Sequence, residues 1–330
     1  MSRSGEDALI ARYFAPLAGE GADGLRDDAA TLTPSPGHDL VLTADAVVAG
    51  VHYFPDDPPG SIARKALGVN LSDLAAKGAA PRGFLLTLAL PDDWTEDWLA
   101  GFAAGLGTAA AAFGCPLLGG DTVRAAGPAL IGVTAIGELP AGSILRRKAA
   151  REGDLLCVSG TIGDAALGLA LRLNPDAPWA AALAGEERAF LADRYLHPRP
   201  RLALAPHLRG HARAAMDVSD GLAGDLAKML DGLGLTVRVD EENVPLSPAA
   251  RHAVASDPSL VETVLTGGDD YELLFAVAPD AIDGLREQAS ATGVPITVLG
   301  RIERGEGPPV FLDRAGRPTV FANRSFAHFR

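Results

Sequence analysis

The chain has 330 residues, 48% of them hydrophobic and 22% charged, and a formal net charge of −13. That is enough for two globular domains, and an acidic balance speaks against nucleic acid or an anionic membrane as a partner. Two cysteines far apart, Cys115 and Cys157, make neither a disulfide framework nor a zinc site. The start "MSRSGEDALIARYF" lacks a signal-peptide core, and no apolar run is pure enough to span a bilayer, so a cytoplasmic protein with two core thiols is expected.

In chain order, "EDALIARYFAPL" (6–17) places Leu9, Ile10, Tyr13, Phe14 and Leu17 at helical spacing. "GADGLRDDAATLTP" is turn-rich and is expected to end in a short strand. "DLVLTADAVVAG" (39–50) reads as a strand around a lone Asp45. "PPGSIARKALGVNLSDLAAKGAAP" carries helix start and stop signals at its ends. "RGFLLTLALP" predicts a strand. "TEDWLAGFAAGLGTAAAAFG" predicts a helix capped by Thr95, and "PLLGGDTVR" and "ALIGVTAIGEL" predict two more strands. The order β-α-β-α-β-β predicts an α/β layer with helices against a sheet.

The pattern loosens at 140–153, which marks a boundary. Beyond it, "LLCVSGTIGDAALGLAL" reads as strand, glycine turn and helix, and 172–213 reads as broken helix. "AAMDVSDGLAGDLAKML" (214–230) reads as a strand end followed by an amphipathic helix. Strands are expected in "LTVRVDEENVPLS", "DDYELLFAVAP" and "PITVLGRIE", with helices around 248–265 and 280–292, and a hairpin through 314–317 near the end.

Carboxylates recur inside apolar or glycine-rich surroundings: Asp27, Asp28, Asp45, Asp73, Asp121, Asp217, Asp220, Asp269 and Asp270. Asp28, Asp45, Asp121 and Asp217 fall where strands should end, the place where α/β proteins tend to carry sites. A carboxylate buried without a partner costs several kcal/mol or is neutralised, so convergent ones imply a cation. Each residue also has a plain structural reading. Asp45 could simply reach solvent, Asp73 could pair with Lys77 one turn on, and Ser219 or Asp220 could cap the following helix. Calcium-loop spacing is absent, as are the phosphate loop of P-loop enzymes and the protein-kinase motifs. With four lysines, polyphosphate charge would be met by Mg²⁺ and arginine.

Taken together and in order, "EDALIARYF", "RDDAA", "LTADAVVAGVHYF", "ARKALGVNLSDLAAKGAAPRGFLLTLALP", "LLGGDTVR", "GDLLCVSGTIGDAALGL", "MDVSDGLAGDL" and "GGDDYELLF" resemble the thiamine-monophosphate kinases, part of the aminoimidazole ribonucleotide synthetase superfamily. The likeness spans nearly the whole chain. It implies a two-domain α/β (α+β) fold. Residues 1–140 would form an ATP- and metal-binding α/β domain that joins a second copy through a shared β-barrel, giving a homodimer. Residues 141–330 would form an α+β domain closing a site in the cleft. It implies ATP-dependent phosphorylation of thiamine monophosphate to thiamine diphosphate.

The resemblance assigns Asp28, Thr43, Ala44, Asp45, Asp73, Asp121, Asp217 and Asp220 to Mg²⁺, with Asp45, Asp121, Asp217 and Asp220 at the chemistry. It assigns Gly120, Asp121, Arg147 and Ser219 to the nucleotide, and His52, Asp269 and the aromatic Phe326 to thiamine monophosphate. Three positions depart from the family pattern. Arg26 stands at an expected glycine, Asp269 where glutamate is common, and Ala44 where threonine is common, which leaves only a backbone carbonyl for a metal.

In such a reaction the acceptor is itself an ionised phosphate and needs no general base. What opposes transfer is repulsion between two anions, so catalysis becomes neutralisation and alignment. Alternatives are another ATP-dependent synthetase of the superfamily, or a non-catalytic nucleotide-binding regulator. The selenium and hydrogenase-maturation relatives are disfavoured by the absence of an N-terminal Cys-and-Lys segment and of a C-terminal cysteine.

Overall fold

The computed structural model describes residues 5–323 and 325–326. The chain divides into two compact units: the residues up to Leu74 together with Ala79–Ser143, and Ala75–Gly78 together with the chain from Ile144 onward.

The N-terminal unit opens with a helical segment that changes type twice. It is an α-helix, α1, over Glu6–Leu9, a π-helix over Ile10–Phe14 and a 3₁₀ turn over Ala15–Leu17, where Pro16 sits at the start of the last turn. The strand expected before residue 35 is absent. Instead the Thr31 amide bonds back to the Gly21 carbonyl at 3.0 Å and the segment pairs with no strand.

Then come β1 (His38–Val48), α2 (Pro59–Ala76), β2 (Ala80–Leu90), α3 (Glu96–Phe113), β3 (Leu117–Arg124) and β4 (Leu130–Pro140), the order that periodicity predicts. Thr95 caps α3, its side chain accepting from the Trp98 amide. The sheet runs β1-β4-β2-β3. Antiparallel β4 lies between β1 and β2, and β3 runs parallel to β2.

Buried and half-exposed residues alternate along β4, so one face of the sheet is covered. Helices α2 and α3 bury Leu67, Leu71, Leu74, Leu99, Phe102 and Leu106. The other face exposes Leu42, Leu85 and Val123. The sheet is open, with β1 and β3 as edges, and no barrel closes within the described chain.

The C-terminal unit contains β5 (Leu155–Ser159), α4 (Asp164–Leu173), α5 (Pro178–Ala182), α6 (Gly185–Leu196), α7 (Ala205–His211), β6 (Ala212–Asp217) and α8 (Leu222–Leu230). These are followed by β7 (Leu235–Asp240), α9 (Pro248–Ser256), α10 (Leu260–Thr266), β8 (Leu273–Val277), α11 (Ile282–Ala289), β9 (Ile296–Arg304) and β10 (Val310–Leu312). The helix expected over 248–265 is two, parted at 257–259, where Pro258 supplies no amide hydrogen.

The sheet order is β10-β7-β9-β5-β8-β6. The expected C-terminal hairpin is rudimentary. Strand β10 pairs in parallel with β7, and its return arm adds a single bridge, Leu312 to Pro318. An apolar core built on Leu156, Val158, Leu167, Leu226, Met229, Val264 and Leu274 fills one side of this sheet. A second cluster around Cys157, Leu204, Phe275 and Leu285 fills the other. Both thiols lie in apolar surroundings, and burial pushes each up to about 12.

Candidate active site

In the N-terminal unit, three of the expected metal-binding positions meet along β1 and α2. The Thr43 hydroxyl donates to Asp73 Oδ2 at 2.5 Å. The Asp45 amide donates to Oδ1 of the fully buried Asn70, whose own amide group is anchored on the Ala66 carbonyl. Asp73 therefore takes a hydroxyl from β1. Lys77, its expected ion-pair partner, donates to the Ala215 carbonyl within the C-terminal unit.

Asp45 and Ala44 are exposed on the edge strand, in keeping with the plain reading that Asp45 reaches solvent. Asp28 is exposed and follows a turn in which Asp23 and Leu25 have positive φ. Arg26 folds back on this turn, to the Asp23 carbonyl and carboxylate. Just past β1, His52 Nδ1 accepts from the Val48 amide at 3.0 Å, which leaves Nε2 carrying the ring proton.

Asp121 stands apart. Across the ladder Asp45 faces Val133, Val133 faces Leu86 and Leu86 faces Gly120. Asp121 lies one rung further, opposite Thr87. Successive rungs project to opposite faces, and three strand spacings amount to about 14 Å. The N-terminal sheet alone therefore does not bring Asp121 beside Asp45. Gly120 is required for packing, since a Cβ there would come within 1.9 Å of the Leu86 carbonyl oxygen.

In the C-terminal unit the expected residues do come together. Strand β6 ends at Asp217, which is buried, and residues 218–221 form a non-helical link to α8. Neither Ser219 nor Asp220 caps that helix. The N-cap is Gly221, at φ 106 with no side-chain bond, and a Cβ there would lie 2.6 Å from the Thr266 carbonyl group.

Every backbone polar group of Val218, Ser219 and Asp220 has a partner. The Val218 amide donates to the Glu272 carbonyl, and the Val218 carbonyl accepts from the Tyr271 amide, both at 2.8 Å. The Ser219 carbonyl accepts from the Asp269 amide at 2.9 Å, and the Asp220 carbonyl accepts from the Phe326 amide at 3.1 Å. The Ser219 and Asp220 amides both donate to Asp225 Oδ2, at 3.0 and 2.9 Å. Thus Ser219, Asp220, Asp269 and Phe326 are joined by direct main-chain bonds. Asp269 is held at φ 71 with the Tyr271 hydroxyl 3.3 Å from its carboxylate, and the Phe326 ring is half exposed.

Lys228 binds both Asp220 Oδ2 (2.5 Å) and Asp225 Oδ1 (2.9 Å). Burial pushes the Asp225 carboxyl up, and the Lys228 hydrogen bond and charge draw it back only in part. Burial works to lower the Lys228 amine, but the two carboxylates outweigh it and the net shift is upward. Lys228 also lines an open pocket of about 800 Å³ with Arg147, Lys148, Asp231 and the turn at 305–309. Lys148 is paired with Asp231. Arg147, exposed at the pocket wall, has no hydrogen-bond or ion-pair partner among the described residues. Arg146 does not line the pocket.

Behind these loops lie buried ionisable groups: Glu272, which the sequence does not single out, and Asp270, which it does. Glu272 is fully buried and binds Arg194 (3.1 Å), Arg201 in bidentate fashion through Nε and Nη2, and Ser159 (2.7 Å). Asp270 accepts from the Gly163 and Ala165 amides at the start of α4. Burial pushes its carboxyl well above the usual range, against the pull of the Gly163 amide.

The donors in question are carboxylates, a hydroxyl and a carbonyl, the hard oxygen ligands that suit Mg²⁺. In kind they fit. Among the described residues, however, no three His, Cys, Asp or Glu side chains are gathered closely enough to hold an ion.

The description "AIR synthase related protein, N-terminal domain" matches residues 26–139, and its C-terminal counterpart matches 151–313. Thiamine-monophosphate kinase of Caulobacter vibrioides is 43% identical over 303 residues, covering 90% of this chain and 84% of that protein. The chain belongs to the thiamine-monophosphate kinase family. A solved member of the family from Stenotrophomonas maltophilia superposes with a TM-score of 0.81 at 38% identity, covering 95% of this chain and 96% of the other. AaThiL complexed with AMPPCP and TMP superposes with a TM-score of 0.75 at 28% identity, covering 98% and 94%. The two-domain fold of this family, with mixed α and β content, is therefore the fold of this chain.

Proposed function

We propose that the chain phosphorylates thiamine monophosphate with ATP, giving thiamine diphosphate. The observation that carries this reading is the likeness along both halves to family members, one of them held with an ATP analogue and TMP. The acceptor oxygen belongs to a phosphate already ionised near neutral pH, so the residues need only bind, neutralise and align.

The C-terminal half, residues 141–330, supplies Arg147, whose unpaired guanidinium suits a nucleotide phosphate, and Ser219 for the nucleotide. Asp269 and the exposed ring of Phe326 serve thiamine monophosphate. The N-terminal half, residues 1–140, supplies Gly120 and Asp121 for ATP and His52 as a donor to the substrate phosphate. Asp28, Thr43, the Ala44 carbonyl, Asp45, Asp73, Asp121, Asp217 and Asp220 would hold Mg²⁺. Bound there, the cation would supply positive charge to the phosphates. Two copies would share a β-barrel built on the open sheet face, where Leu42 is 65% exposed beside the unpaired edge of β1.

The test is an assay with thiamine monophosphate, ATP and Mg²⁺ in which the product is identified by mass. Thiamine diphosphate is expected. ATP turnover only with another acceptor would point to a different synthetase, and ATP binding without turnover to a regulator.

A further inference from the structure

Asp225 lies on the apolar stripe of α8, one turn from Leu222 and one from Met229, yet its side chain is 1% exposed and charged. A helix N-terminus attracts carboxylates. Even so, this one does not bind the free amides of its own helix. It reaches back past the N-cap to the Ser219 and Asp220 amides, which belong to the preceding link. The other four backbone polar groups of Val218, Ser219 and Asp220 are already paired with main-chain partners. Asp225 is therefore the side chain that completes the conformation from which Ser219 and Asp220 project. Lys228, one turn along α8, holds the second carboxylate oxygen and reaches Asp220 as well.

We propose that Asp225 is a positioning residue for phosphoryl transfer, with Lys228 as its lock. Their pairing fixes the Ser219–Asp220 main chain in the geometry that receives nucleotide and metal. The inference rests on the reading that Ser219 and Asp220 serve those ligands. The chemistry requires a carboxylate. One oxygen accepts two amides while the other faces an ammonium, and an asparagine would turn an NH₂ donor toward the Lys228 donor. A glutamine at 228 would restore complementarity, because its carbonyl can accept from that NH₂.

The experiment compares Asp225→Asn, Asp225→Asn with Lys228→Gln, Lys228→Gln alone and Asp220→Asn in the full-length protein, well below each melting temperature. Mn²⁺ affinity is read by calorimetry in the presence of AMPPCP. Amide exchange across 218–221 is read in the metal-free protein, and kcat and KM are measured for each substrate.

Asp225→Asn is expected to weaken Mn²⁺ binding and kcat/KM for ATP by about 10- to 100-fold, as loss of a partner behind a ligand does. Exchange at 218–221 should speed up, and KM for thiamine monophosphate should stay within about 2-fold. The double variant should recover most of the loss, the coupling expected of contacting residues. A folded Asp225→Asn protein with a lower melting temperature but wild-type Mn²⁺ affinity and kcat/KM would overturn the proposal. If that variant does not fold, Lys228→Gln decides: a smaller loss in the same direction supports the lock, and unchanged affinity and exchange overturn it. Wild-type Mn²⁺ affinity in Asp220→Asn would instead remove Asp220 from the metal ligands, a failure of the underlying reading that is distinguishable from the others.

Discussion

The two halves present their carboxylates in opposite ways. In the C-terminal half Val218, Ser219 and Asp220 are tied at each polar main-chain group, and buried ionisable groups stand behind them. In the N-terminal half Asp28, Asp45 and Asp121 are exposed, and the contacts beside them include the Asp28 amide on Asp27, the Thr43 hydroxyl on Asp73 and the Asp45 amide on Asn70. A site can be preorganised only where buried groups hold it, and burying charge makes stability depend on every partner being present. Exposed carboxylates cost little to keep and little to lose. The lesson is a division of labour, in which substitutions at the exposed carboxylates should act on catalysis and those at the buried groups behind the C-terminal link on stability as well.

The sharpest break would come from Asp45→Asn and Asp121→Asn. Each should lower kcat by about 100-fold or more, the scale of losing one electrostatic group at a reacting phosphate. Each should leave the melting temperature within about 2 °C, because exposed substitutions rarely exceed about 0.5 kcal/mol. Steady-state kinetics with a thermal melt reads both. An active Asp121→Asn enzyme would remove Asp121 from the metal-binding set. It would also agree with its place one rung and three strands away from Asp45.

The converse is expected of Glu272→Ala. It strands Arg194, which is 3% exposed, together with Arg201 and the Ser159 hydroxyl. Removing one partner of a buried pair costs about 3–5 kcal/mol, read as a fall in the urea midpoint. Glu272→Gln keeps one acceptor and should cost less. A Glu272→Ala protein as stable as wild type would refute the contrast between the halves.

The same contrast explains what was legible in the sequence. Strands and helices of the N-terminal half followed from periodicity and capping, down to Thr95 at the start of α3. These depend on neighbours within a few residues. The short strand expected before residue 35 does not form because strands need a partner, and the Thr31 amide of that segment bonds to Gly21 instead. The sequence marks Asp217, Ser219, Asp220, Asp269 and Phe326, and main-chain hydrogen bonds join Ser219 to Asp269 and Asp220 to Phe326. The groups that hold them were not marked. Asp225 falls within the amphipathic helix that the sequence predicts and is given no role there, although its spacing to Leu222 and Met229 puts it on the apolar stripe, with Lys228 three residues on. That mismatch of charge and stripe was the available signal. Glu272 gave none, because its partners Arg194 and Arg201 lie more than seventy residues away.

The smallest effect expected is also the one that separates two roles for Thr43. Its hydroxyl donates to Asp73, so it can orient that carboxylate, whereas the family resemblance makes it a metal ligand. Thr43→Val keeps the β-branched shape that suits β1 and deletes the donor. The lost hydrogen bond should cost about 0.5–1.5 kcal/mol. Mn²⁺ affinity should fall in either role, but Thr43→Ser restores the hydroxyl and should return both quantities. Combining Thr43→Val with Asp73→Asn divides the possibilities. If Thr43 acts only by orienting Asp73, its removal has no further effect on Mn²⁺ affinity once the carboxylate is gone. If its oxygen meets the ion itself, the two losses remain largely additive.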